Sequence, residues 1–175
     1  VTRTGWIEAG SHCKLVSLGL SLEGLTWLGR ISITGGKPKL WRNATMLTVH
    51  TLNDRICAHS NNAAHGTEVP TNARLLFCNG QVGARLDGTI PDEPLEQIEV
   101  IFERIRLILA ASNMSFDDVV KFTVYVTDKS ILEDYFSIRR RIMGDHNPPA
   151  TLLVVKTFPR SGVEVEIEAI AAKAD

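Results

Sequence analysis

The stretch that most constrains this chain is Val163-Glu164-Val165-Glu166-Ile167-Glu168-Ala169-Ile170-Ala171, near the C-terminus. Successive side chains of a strand point to opposite faces, so Val163, Val165, Ile167, Ala169 and Ala171 share one face and Glu164, Glu166 and Glu168 the other. The segment therefore predicts a strand with one side in a core and one side acidic. A row of acids at period two is ordinarily a solvated strand face, but the residues before it add a second reading. Pro148-Pro149-Ala150-Thr151 leads into Leu152-Leu153-Val154-Val155, too short for a helix and rich in β-branched residues. Pro159-Arg160-Ser161-Gly162 then turns the chain, which predicts a hairpin or near-hairpin with a four-residue loop. The first of these strands is apolar on both faces and needs cover on both. A small domain with helices on one side of its sheet can supply the other side by oligomerising.

Upstream, Leu47–Asn53 is a candidate strand and Arg74–Asn79 a stronger one, ending at Gly80. Gly80-x-x-Gly83 is not a dinucleotide fingerprint, because no helix opens directly after it. Pro91-Asp92-Glu93-Pro94 opens a helix, with proline and acids suited to a first turn. Ile98, Ile101, Phe102, Ile105, Ile108 and Leu109 recur at helical spacing as one buried stripe, and Asn113 suits the left-handed closing position. Val119–Thr127 follows as a strand with Phe122, Val124 and Val126 opposing Thr123, Tyr125 and Thr127. A second amphipathic helix spans Ser130 to Met143, with Leu132, Tyr135, Phe136, Arg139 and Ile142 at helical spacing, and stops at Gly144. Arg139-Arg140-Arg141 reads as a solvated helix face or as a partner to nearby acids. The order strand, strand, helix, strand, helix, strand, strand predicts an α+β domain, two helices on one face of a mixed sheet.

Composition matters where it breaks. Residues 1–45 carry a net charge of +4, all three tryptophans and seven of the thirteen glycines, whereas residues 46–175 carry −5 and begin at the first methionine, Met46. Three readings stand for 1–45: upstream or vector-derived sequence joined to a start at Met46, an organelle transit peptide poor in acids, or an accessory segment. Cys13, Cys57 and Cys78 form no CxxC pair, which fits a reducing compartment better than a disulfide framework. Cys78 reads as a small buried apolar residue. The five histidines form no metal-ligand motif, so no metal is expected. No apolar run reaches transmembrane length, and three adjacent arginines in a net-acidic domain are too narrow a surface for nucleic acid. The compartment expected is the cytoplasm, or the mitochondrion if residues 1–45 are a transit peptide.

Val119-Val120-Lys121-Phe122-Thr123-Val124-Tyr125-Val126-Thr127-Asp128, Gly144-Asp145-His146 before the prolines, and Val165-Glu166-Ile167-Glu168-Ala169 closely resemble the Rid family, also called YjgF and formerly labelled L-PSP endoribonuclease. The resemblance covers roughly residues 46–175. It implies a chorismate-mutase-like fold, a homotrimer with small-molecule clefts between subunits, and hydrolysis of reactive imines and enamines to a carbonyl compound and ammonia without a bound cofactor. It also implies that Glu166 positions or activates water, that Asn79 and Gly80 stand where a Ser-Gly pair holds ligand, and that His65 falls near a cleft tyrosine. The family's carboxylate-gripping arginine falls at Ala150 when counted from Pro159 and at Thr151 when counted from Glu166; Thr151 preserves the preceding Pro-Ala. A family asparagine falls near Phe136. Without the arginine the cleft loses a charge-assisted pair worth about 1.5–3 kcal/mol, so 2-imino acids would be held poorly. Two functions stay open: a hydrolase of imines lacking that carboxylate, or a trimer that binds ligands or proteins without chemistry.

Overall fold

The alternating C-terminal strand is buried by becoming a central strand of a four-stranded sheet. The computed structural model describes residues 47–57 and 64–174; residues 1–45 and Met46, where the sequence divides in composition, lie outside the described residues. In chain order the elements are β1 (Thr48–His50), β2 (Gly66–Glu68), β3 (Ala73–Val82), α1 (Pro94–Ala111), β4 (Val119–Val126), α2 (Ile131–Met143), β5 (Ala150–Val154) and β6 (Val165–Ala174), with a 3-10 turn at Phe116–Asp118 before β4. The main sheet runs β3-β6-β4-β5, with β6 antiparallel to β3 and β4 while β5 is parallel to β4. This is the expected mixed α+β sheet.

The hairpin expected between β5 and β6 does not form, because β4 lies between them. Each apolar strand does better than pairing with its sequence neighbour: β6 fills the centre, where both of its edges find partners, and β5 takes the edge. Its parallel register sets Phe122 beside Ala150, Thr123 beside Thr151, Val124 beside Leu152 and Tyr125 beside Leu153. Leu153 and Val154 remain 46% and 58% exposed, so the second cover that the apolar run calls for is not supplied by the described residues. The first candidate strand shrinks to β1, which pairs antiparallel with the unforeseen β2 as a separate ribbon.

The helices form where the periodicity places them. Pro94 occupies the first turn of α1, where its missing N–H costs nothing, and Ile98, Ile101, Phe102, Ile105 and Leu109 are fully buried. Burial of side chains of this size stabilises by about 1.5–3 kcal/mol each. They meet Phe122, Val124 and Val126 of β4 and Val165, Ile167 and Ala169 of β6 in one core. Asn113 takes the left-handed conformation, φ 55°.

In α2 the buried stripe is Ile131, Tyr135, Ile138, Arg139 and Met143, while Phe136 is 42% exposed. Tyr135 and Arg139 belong to the expected stripe, but Ile131, Ile138 and Met143 complete it in place of Leu132, Phe136 and Ile142. The Arg139 guanidinium lies over the Phe122 and Tyr135 rings, 5.6 and 6.0 Å from their centroids, and donates to Asn147 Oδ1 (2.7 Å) and to the Pro148 carbonyl. Arg139 is thus neither solvated nor paired with an acid, as the arginine run suggested. Arg141 does meet an acid, Glu99, at 2.7 Å.

Candidate active site on the open face of the sheet

With both helices packed on one side of the sheet, the acids of β6 occupy the other. Cross-strand register puts Glu166 beside Tyr125 and Glu168 beside Thr123 on β4, and Thr151 beside Thr123 on β5. Thr151, Thr123 and Glu168 therefore form a row on the open face, and Ala150 pairs with the fully buried Phe122 on the helix side. Thr151, not Ala150, shares a face with Glu166. Two strand spacings and a two-residue offset separate Thr151 from Glu166, about 12 Å between Cα atoms.

Glu166 rests on the neighbouring strand. Between Cys78 and Gln81 the register of β3 on β6 slips by a residue, so Asn79 and Gly80 together face a single position of β6. A Cβ on Gly80 would stand 1.8 Å from Glu166 Oε1 and 2.7 Å from its Cδ. Only a glycine leaves room for this carboxylate, which gives the Asn79–Gly80 pair a steric reason. Burial, and secondarily the Glu168 charge, pushes the Glu166 carboxyl above the usual glutamate range. Tyr125 donates from its hydroxyl to Glu168 Oε2 at 3.3 Å, and burial followed by the Glu168 charge raises its phenol. A half-buried carboxyl whose proton affinity is raised suits general acid–base work on a bound water or imine.

Asn79 also lines a concavity of about 410 Å³ together with Phe77, Lys121, Thr123, Glu168 and Ile170. Glu166 is not among its lining residues; it lies along β6 toward Val82, its partner on β3. Phe77 and Leu75 are 69% and 53% exposed on the same open face.

Other expected residues stand apart. Phe136, on α2, lies across the sheet from Glu166 and packs against Tyr135, centroids 5.4 Å apart. His65 borders the β1–β2 ribbon, where its Nδ1 accepts from the Leu52 N–H at 3.1 Å. Within one chain, then, the structure gathers Asn79, Gly80 and Glu166, and sets Thr151 on the same face at a distance.

Sequence reasoning passed over the polar residues beneath this surface. Gln97 is fully buried: its amide donates to the carbonyls of Pro91 and Gly162, both at 2.8 Å, and its Oε1 accepts from the Glu164 N–H at 3.0 Å. A Cβ on Gly83 would stand 2.6 Å from Gln97 Cα, so that glycine lets β3 approach the helix. The only hint in sequence was a glutamine in an otherwise buried helical stripe. Among the described residues no group of three or more His, Cys, Asp or Glu could hold a metal ion, and no helix is long and apolar enough to cross a membrane.

A mixed sheet with two helices on one side, an open acidic face and a glycine bulge under a glutamate defines a class of small α+β domain. The chain belongs to the Rid/YjgF family: residues 60–173 match the family model described as Endoribonuclease L-PSP. It is 30% identical over 102 residues to protein HMF1 of Saccharomyces cerevisiae, covering 58% of this chain and 78% of that one. It is 27% identical over 103 residues to Escherichia coli TdcF, provisionally named a reactive intermediate deaminase, covering 57% of this chain and 79% of that one. The crystal structure of RidA from an Antarctic Psychrobacter species superposes with a TM-score of 0.53 at 28% identity, covering 71% of this chain and 97% of that one.

Proposed function

We propose that this protein is a Rid-type hydrolase that converts reactive imines or enamines to a carbonyl compound and ammonia, with little activity on 2-imino acids. The carrying observation is Glu166, held over Gly80 on the open sheet face with its proton affinity raised. Glu166 takes a proton from water as it adds to the imine carbon, and the protonated carboxyl then serves the departing amine. No cofactor enters this chemistry. Thr151 occupies the position from which an arginine would grip a substrate carboxylate, and its hydroxyl cannot form the bidentate charged pair. The name of TdcF supports the reaction class. The older endoribonuclease label draws little support from a domain of net charge −5 whose open face carries a row of acids.

The working unit of this reading is a homotrimer with clefts between subunits. Leu75, Phe77 and Leu153 give the open face an exposed apolar component that a neighbouring copy would cover. The domain proper begins near Met46 and acts in the cytoplasm, or in the mitochondrion if residues 1–45 are a transit peptide.

The test is hydrolysis of imines generated in situ from alanine-like and from carboxylate-free amines, by wild type and by Glu166→Ala. Turnover of the carboxylate-free imine that disappears in Glu166→Ala supports the proposal. Equal rates in the two proteins would favour the alternative, a trimer that binds ligands or proteins without chemistry, for which the departures from the family pattern at Ala150, Thr151 and Phe136 speak.

A further inference from the structure

Glu166 can rest on β3 only while the Asn79–Gly80 bulge keeps its shape, and that shape has its own fastening. Gln81, the residue after the bulge, is 8% exposed and points to the helix side. Its Nε2 donates back to the Asn79 carbonyl at 3.0 Å, closing the bulge across Gly80. Its Oε1 accepts from Arg104 Nε of α1 at 3.0 Å, and Arg104 Nη1 donates to the Ala84 carbonyl at 2.8 Å. One guanidinium thereby spans Gln81 and Ala84 and ties the end of β3 to α1. An extra strand residue is otherwise free to relax, because its ladder bonds are broken.

We propose that Gln81 and Arg104 are positioning residues for Glu166, holding the bulge in the form that seats its carboxylate. The catalytic meaning of this rests on the function proposed above; the positional claim does not. When the clip is removed the bulge relaxes, the carboxylate moves toward water, and its proton affinity falls toward that of an ordinary glutamate. The sign is diagnostic. Loss of the Arg104 positive charge by itself would raise the Glu166 pKa, so a fall reports displacement and not missing charge.

The experiment is a carbon-detected NMR titration of the Glu166 carboxyl in the full chain, assigned with Glu166→Gln, for wild type, Gln81→Met, Arg104→Met and Arg104→Lys. We expect the midpoint to fall in Gln81→Met and Arg104→Met, and to fall less in Arg104→Lys, which keeps one donor. On a turned-over imine the two methionine variants should lose about tenfold in kcat with KM within about twofold, as for a misplaced catalytic group. Unchanged or raised midpoints in folded Gln81→Met and Arg104→Met would overturn the proposal. If Gln81→Met does not fold, Arg104→Met decides, since Arg104 is only half-buried and methionine replaces its stem. If wild type turns over no imine, the proposed function fails while the titration still decides the positional claim.

Discussion

Replacing Gly80 with alanine places a methyl group where Glu166 now lies. The new Cβ would stand 1.8 Å from Oε1, and real Cβ contacts essentially never come under 3.0 Å, so the carboxylate must retreat by at least about 1.2 Å. The obstacle is the end of a flexible side chain and not backbone, so the fold survives. Overpacking of this kind costs about 1–3 kcal/mol. Against it stands about 0.4–1 kcal/mol gained from the lost flexibility of glycine in the unfolded chain. The net expectation is a loss of about 0–2.6 kcal/mol. Catalysis should suffer more, since displacement by about 1 Å can cost on the order of 100-fold. The decisive assay is a double-mutant cycle in thermal unfolding at fixed protein concentration, because stability of any oligomer depends on concentration. In a Glu166→Ala background the clash is absent, and Gly80→Ala should become neutral or stabilising. An equal cost in both backgrounds would refute the claim that Glu166 is what requires a glycine at 80.

Three further outcomes follow from the burial and contacts of Glu166, Arg139 and Cys78. Because the folded-state pKa of Glu166 is raised, its ionisation opposes folding: its stabilising contribution is complete below the ordinary glutamate range and is lost as pH rises through the raised value. Glu166→Gln should therefore gain stability over wild type at neutral pH, and that advantage should shrink on acidification; a pH-independent difference in unfolding midpoint would contradict this. Arg139→Met should cost about 2–4 kcal/mol in denaturant unfolding, because it leaves the Pro148 carbonyl without its charged donor, while exposed Arg140→Met should cost under about 0.5 kcal/mol. Cys78 is buried and its thiol is pushed up by that burial, so iodoacetamide followed by peptide mapping should label exposed Cys57 first; rapid stoichiometric labelling of Cys78 would count against the placement.

What could be read from sequence was whatever obeys a short period. The alternation of β6, the stripe of α1 and the opposition of Phe122 to Thr123 each depend on neighbours a few residues away, and each appears where expected. Pairing depends on partners far along the chain, so β5 and β6, joined by a turn-forming loop, looked like a hairpin although β4 separates them. Arg139 was misread because its acceptors, Asn147 and Pro148, are loop groups with no sequence signature as guanidinium partners. The placement of Glu166 on the face away from the core was legible through the alternation. Its seat was not: the glycine bulge, Gln81 and Arg104 become one device only when β3, β6 and α1 are assembled. Counting left two values for the position of the family arginine; the register of β5 on β4 separates them by face, with Ala150 on the core side and Thr151 on the face of Glu166.

That register makes the central claim testable in one measurement: the ratio of kcat/KM for a carboxylate-bearing imine to that for a carboxylate-free imine, in wild type, Ala150→Arg and Thr151→Arg. A charge-assisted pair of about 1.5–3 kcal/mol corresponds to roughly 10 to 100-fold. Thr151→Arg should raise the ratio by about that factor in a Glu166-dependent manner, and Ala150→Arg, directed into the core, should not. A wild type that already turns over 2-iminopropanoate rapidly through Glu166, with a ratio indifferent to Thr151→Arg, would contradict it.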